Sequence, residues 1–105
     1  MSSNKINQLQ LLQQNIQSLL MQKQQIESQL EEINSALSGL ESTKKAYHIV
    51  GNIMVAAPKE TLAKELKEKK EVAEIRIKKL EEQEERLRKN LESLQQEVVK
   101  ELKKE

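Results

Sequence analysis

The chain has 105 residues, the length of one domain, of which 36% are hydrophobic and 33% charged. Tyr47 is the one aromatic residue, so the side chains that usually dominate a compact globular core are missing. A formal charge of +1 gives no electrostatic footprint for nucleic acid or an anionic membrane, and the lack of cysteine excludes disulfides and thiolate metal sites.

The first residues, 1–8, contain no apolar signal core, and no run approaches the ~20 apolar residues of a membrane span. A cytoplasmic chain is therefore expected. From Leu9 onward the apolar residues alternate three and four apart: Leu9, Leu12, Ile16, Leu19, Lys23, Ile26, Leu30, Ile33, Leu37 and Leu40. Every position but Lys23 is aliphatic. Low hydrophobicity alone would suit a disordered chain, but a spacing this regular predicts a coiled-coil helix over about residues 4–42. Ser38, Gly39, Ser42 and Thr43 then weaken the helix and bring it to an end.

The next segment differs in kind. Residues 46–50 and 53–56 are β-branched or apolar runs separated by Gly51-Asn52, a pair that tolerates positive φ. That pattern predicts a β-hairpin over about 46–56, with Val50 opposite Ile53, Ile49 opposite Met54 and Tyr47 opposite Ala56. Tyr47, Ile49, Met54 and Ala56 then share one face, and His48, Val50, Ile53 and Val55 the other. Both faces are largely apolar, and a lone two-stranded hairpin is marginal in water. The hairpin therefore calls for strands from other chains. Tyr47, Ile49, Val50, Gly51, Ile53, Met54 and Val55 are the expected oligomerisation residues.

Pro58 suits the first turn of a second helix, predicted over about 58–103. There the seam resumes as Ala63, Leu66, Lys70, Ala73, Ile77, Leu80, Glu84, Leu87, Leu91, Leu94 and Val98, inside a dense mixture of Glu with Lys and Arg. Folding the chain back at the hairpin sets Leu40 near Leu66, Leu30 near Ile77 and Leu9 near Val98. Lys23 falls in the same layer as Glu84, and this pair is expected to fix the register. The fold class expected is mainly α: a long antiparallel two-helix coiled coil with a single β-hairpin at the bend.

Catalysis needs positioned acids, bases or nucleophiles in a pocket that excludes water. The sequence has one His, no Cys, no Asp and no glycine-rich phosphate loop, and its Glu side chains lie among Lys and Arg. His48 has no second ligand beside it and reads as structural or solvated. No catalytic, cofactor or metal site is expected, and the chain reads as a non-enzyme.

The run Ala-Tyr-His-Ile-Val-Gly-Asn-Ile-Met-Val at 46–55 resembles the signature of β-class prefoldin subunits. In that family a Tyr, an aliphatic two residues later, Val-Gly and an apolar strand lie between two coiled-coil helices. The similarity extends over nearly the whole chain, including the charged second helix that begins Lys59-Glu60. Ala56-Ala57-Pro58 departs from the polar residues expected before that helix. Room for one hairpin favours the β class, since the α class carries a longer central insert. The resemblance implies an ATP-independent chaperone subunit without cofactor, one of four β-type copies assembled with two α-type subunits through an intersubunit β-barrel. It also implies capture of unfolded client proteins at the distal coiled-coil tips and transfer to a group II chaperonin. Here those tips carry Ile6, Leu9, Leu11, Leu12, Ile16, Val98, Val99 and Leu102. Ile6, Leu11, Leu20, Met21, Val99 and Leu102 exceed the seam, as a binding surface for exposed apolar chain would. Terminal fraying with ordinary exposed leucines gives the same pattern. A structural or tethering coiled coil without clients explains both helices but not the two-faced apolar hairpin.

Overall fold

The computed structural model describes residues 2–104. Helix α1 (Ser2–Ser42) is followed by strands β1 (Ala46–Val50) and β2 (Ile53–Ala57) and by helix α2 (Lys59–Lys104). Two long antiparallel helices with a β-hairpin between them are the expected fold class. The chain divides into two compact units, one formed by Met1–Gln25 with Lys78–Glu105 and the other by Ile26–Ile77.

In both units the three-four spacing determines what is covered. Every seam position read from the sequence is buried or half-buried, from Leu9 to Leu40 on α1 and from Ala63 to Val98 on α2, while most of their neighbours face water. Ile16 and Val98 are buried in the first unit, Ile26 and Ala73 in the second. Each aliphatic side chain fully withdrawn from water stabilises by about 1.5–3 kcal/mol, so this stripe is the main source of stability. Two helices can cover only one stripe of each other, which is why the buried set is small.

The ends of the elements in the second unit are tied locally. The Ser42 hydroxyl donates to the Gly39 carbonyl at 3.2 Å, and the Lys59 ammonium donates to the Glu41 carbonyl at 3.3 Å. Both satisfy carbonyls that the last turn of α1 leaves without helical partners. Pro58 lies one residue before α2 rather than inside it. Its carbonyl accepts from the Leu62 N–H at 3.2 Å, the first helical bond, so the ring occupies the capping position where its missing N–H costs nothing.

The hairpin pairs antiparallel as Ala46↔Ala57, Tyr47↔Ala56, His48↔Val55, Ile49↔Met54 and Val50↔Ile53. Gly51 has φ 61°, and no other described residue has positive φ. Positive φ at the first central residue alone is the type II′ pattern, whose twist matches that of the flanking strands. Gly51 thus carries the turn, and Asn52 does not need left-handed backbone.

Candidate functional site

The hairpin presents its apolar side chains to water on both faces. Ile49, Val50, Ile53 and Met54 are each between 58% and 69% exposed, and Tyr47 and Val55 about half. Such exposure follows from the register: alternation sends Tyr47, Ile49 and Met54 to one side and Val50, Ile53 and Val55 to the other. No described residue of either helix covers more than a part of them. The sheet has two strands only, so each strand keeps an outer edge. Unpaired N–H and C=O groups along an apolar edge are a template for another strand. His48 reaches α2 from this hairpin: its Nδ1 lies 4.0 Å from a Glu65 carboxylate oxygen, with both side chains near half exposure.

The other candidate surface lies in the first unit, at the chain-terminal ends of the helices. Its eight predicted residues fall into two groups. Ile6, Leu11, Val99 and Leu102 are exposed, as is Met21 higher on α1. Leu9 and Leu12 are half-buried, and Ile16 and Val98 are buried, because the seam uses them. Leu20, off the seam by spacing, is half-buried. Lys5 stands at the next seam position beyond Leu9. Its ammonium donates to the Glu101 carboxylate and lies 3.6 Å from Glu97. The hydrogen bond to Glu101 holds the lysine pKa above its usual value against partial desolvation, and the charges of Glu101 and Glu97 add to it.

The polar layer farther along the seam holds an ion pair between the helices. Lys23 and Glu84 are both half-buried in the seam, but the ammonium of Lys23 lies 3.3 Å from Glu81, one turn from Glu84. Glu84 is engaged by Arg88 on its own helix at 3.1 Å. Glu81 is 53% exposed, so this pairing keeps the charges at the water's edge.

Two exposed apolar residues escaped the sequence reading. Val72 and Ile75 on α2 are 56% and 55% exposed. They stand outside the three-four spacing within a run of Glu and Lys, and only a search for apolar residues off the seam along the whole helix would have found them.

Among the described residues no group of His and Glu side chains is placed to hold a metal ion, and no helix is long and apolar enough to cross a membrane. The exposed large apolar side chains lie on the hairpin, at the chain-terminal ends of the helices, at Met21 and at Val72 and Ile75. Residues 3–105 match the family model described as prefoldin subunit. A prefoldin subunit beta of Archaeoglobus fulgidus is 44% identical over 98 residues, which span 90% of this chain and 84% of that one. The prefoldin subunit beta of Sulfurisphaera tokodaii is 43% identical over 93 residues, 86% of this chain and 74% of the relative. In three dimensions the crystal structure of the prefoldin beta subunit from Thermococcus strain KS-1 superimposes with a TM-score of 0.90 at 34% identity, covering 96% of this chain and 91% of that one. With the hairpin motif, the paired seams and these relatives in agreement, the chain belongs to the prefoldin subunit family of non-enzymatic chaperones, in its archaeal-type beta class.

Proposed function

We propose that this subunit acts in an ATP-independent holdase that captures unfolded proteins at the chain-terminal ends of its two helices and passes them to a group II chaperonin. As a prefoldin subunit it is part of a prefoldin complex. The finer reading is that its hairpin joins an intersubunit β-barrel with α-type subunits and further copies of itself, two α to four β, in the cytoplasm. The observation that carries the proposal is the exposure of Ile6, Leu11, Val99 and Leu102 at those ends, in the unit that does not contain the hairpin. A partner recognised as exposed apolar chain needs apolar contact and no shaped pocket. The contact is with whatever apolar segment a non-native protein presents, so no sequence is read.

The test is suppression of aggregation. The assembled complex, without nucleotide, should keep an unrelated unfolding enzyme soluble when present below stoichiometry with it. Protection that requires ATP, or none at all, would sink the holdase reading and leave a tethering coiled coil in its place.

A further inference from the structure

In the unit formed by Met1–Gln25 with Lys78–Glu105, the seam does not continue to the chain ends on aliphatic residues. Its spacing passes from Leu9 to Lys5 on α1, and from Val98 to Glu101 on α2. The Lys5 ammonium donates to the Glu101 carboxylate across the seam, and the two side chains are 30% and 34% exposed. Glu97, one turn earlier on α2, flanks the lysine at 3.6 Å. Apolar burial is non-directional, whereas a polar layer in a seam specifies one register.

That register decides where the neighbouring apolar side chains emerge. Successive helix residues turn by about 100°, so the residue after a seam position lies on a flank of the helix pair. In an antiparallel pair, one step toward the C-terminus turns both helices to the same flank. Ile6 follows Lys5, Leu102 follows Glu101 and Val99 follows Val98, so all three come out on one flank beside the ion pair. Each is between 42% and 57% exposed. Val99 and Leu102 are also three residues apart and adjoin on α2. Leu11 is different: two residues beyond Leu9, it points about 200° from the seam, away from α2.

We propose that Lys5 is a positioning residue for capture: paired with Glu101, it sets Ile6 of α1 beside Val99 and Leu102 of α2 as one surface that grips a single apolar client segment. Each helix offers only one or two apolar side chains to that flank, so a segment is held by touching both. Leu11 stands apart from this surface. The charged layer also keeps client chain out of the seam, since an apolar segment entering there would strip water from the lysine and its carboxylates without replacing their bonds. The inference rests on the reading of the chain ends as the capture site, and deepens it by naming which side chains act together and what aligns them.

The test uses the assembled complex and a labelled, permanently unfolded probe, reduced and carboxymethylated α-lactalbumin, with affinity read by fluorescence anisotropy. Ile6→Ser and Leu102→Ser should each weaken binding about fivefold, and the double variant by clearly less than the product of the two, because either loss already loosens the shared segment. Leu11→Ser should combine with Leu102→Ser by simple multiplication. Lys5→Glu faces Glu97 and Glu101, so it should part the helix ends and weaken binding about fivefold, with the mass of the complex unchanged. In that background Ile6→Ser and Leu102→Ser should become independent, a change that lost stability alone does not produce. Lys5→Arg, and Lys5→Glu combined with Glu101→Lys, should bind like the parent. Independent effects of Ile6 and Leu102 in the parent, a Lys5→Glu complex that binds like the parent, or a charge swap that restores nothing overturns the inference. Joint replacement of Ile6, Val99 and Leu102 by Ser tells the two readings apart. If that complex still binds the probe like the parent, the capture site lies elsewhere and both fail. If it releases the probe while Lys5→Glu does not, capture at the chain ends stands and only the alignment by Lys5 fails.

Discussion

Ile26 is 5% exposed while Gln25 and Glu27 beside it face water, and Met21, earlier on the same helix, is 66% exposed. Residue by residue, then, stability belongs to seam positions and not to hydrophobicity as such. Ile26→Ala should lower unfolding free energy by about 2–3 kcal/mol through lost burial and the cavity left behind. Met21→Ala should stay within about 0.5 kcal/mol, both read from chemical denaturation. The charged seam residues act more weakly. Lys23 and Glu81 are partly solvated, so their pair contributes about 1 kcal/mol or less. Lys23→Glu should destabilise, and adding Glu81→Lys should recover part of the loss; strictly additive effects would mean that the two do not interact. The spacing placed Lys23 in the layer of Glu84, where both are half-buried, and it did not name Glu81 as a further carboxylate within reach of the lysine. Lys5 gives a pH dependence. Its folded pKa is raised above the ordinary lysine value of 10.5, so its contribution is complete at neutral pH. That contribution is lost as pH rises through the raised value. The margin in melting temperature between the parent and Lys5→Gln should therefore hold through neutral and mildly alkaline pH and shrink only in strong alkali. A margin that shrinks already near neutrality would remove Lys5 from the account.

At the scale of elements, both helices and the hairpin were legible because each has its own period. The three-four spacing persisted across Gln-rich and Glu/Lys-rich surroundings alike, and Gly51 between two apolar runs specified the register of all five strand pairs. The start of α2 was legible only to within a residue, since Pro58 suits both the capping position and the first turn. Val72 and Ile75 were not legible because they lie between the seam residues Lys70, Ala73 and Ile77 within a Glu- and Lys-rich run, where spacing alone does not mark them as surplus. The hairpin's role is tested by placing charge on each of its faces. Ile49→Lys with Val55→Lys should block assembly, because burying either ammonium without a partner costs several kcal/mol. Helix content should be largely kept, as the seams lie outside the hairpin. Unchanged oligomer mass would put assembly in the coiled coils.

For the whole molecule, the division into two units makes assembly and capture separable. All hairpin residues belong to Ile26–Ile77, and all eight candidate client residues belong to the other unit. Deleting residues 1–8 and 99–105 removes Ile6, Val99 and Leu102 but spares the seam from Leu9 to Val98. The complex should keep its mass and lose most of its protection of an unfolding client; normal mass with full protection would place the capture surface elsewhere, with Val72 and Ile75 the next to test. The fold was legible in the sequence, whereas the capture surface was legible only as a region. Spacing tells which residues can meet a partner helix, but not which of Ile6, Leu9, Leu11 and Leu12 remain uncovered once it is there. Finally, the position of Tyr47 gives the molecule an intrinsic optical reporter. With no tryptophan in the sequence, all of the chain's near-ultraviolet absorbance and emission come from that half-exposed phenol on β1. Quenching of its fluorescence by iodide in the isolated chain therefore reports on the exposure of the hairpin, in unlabelled protein.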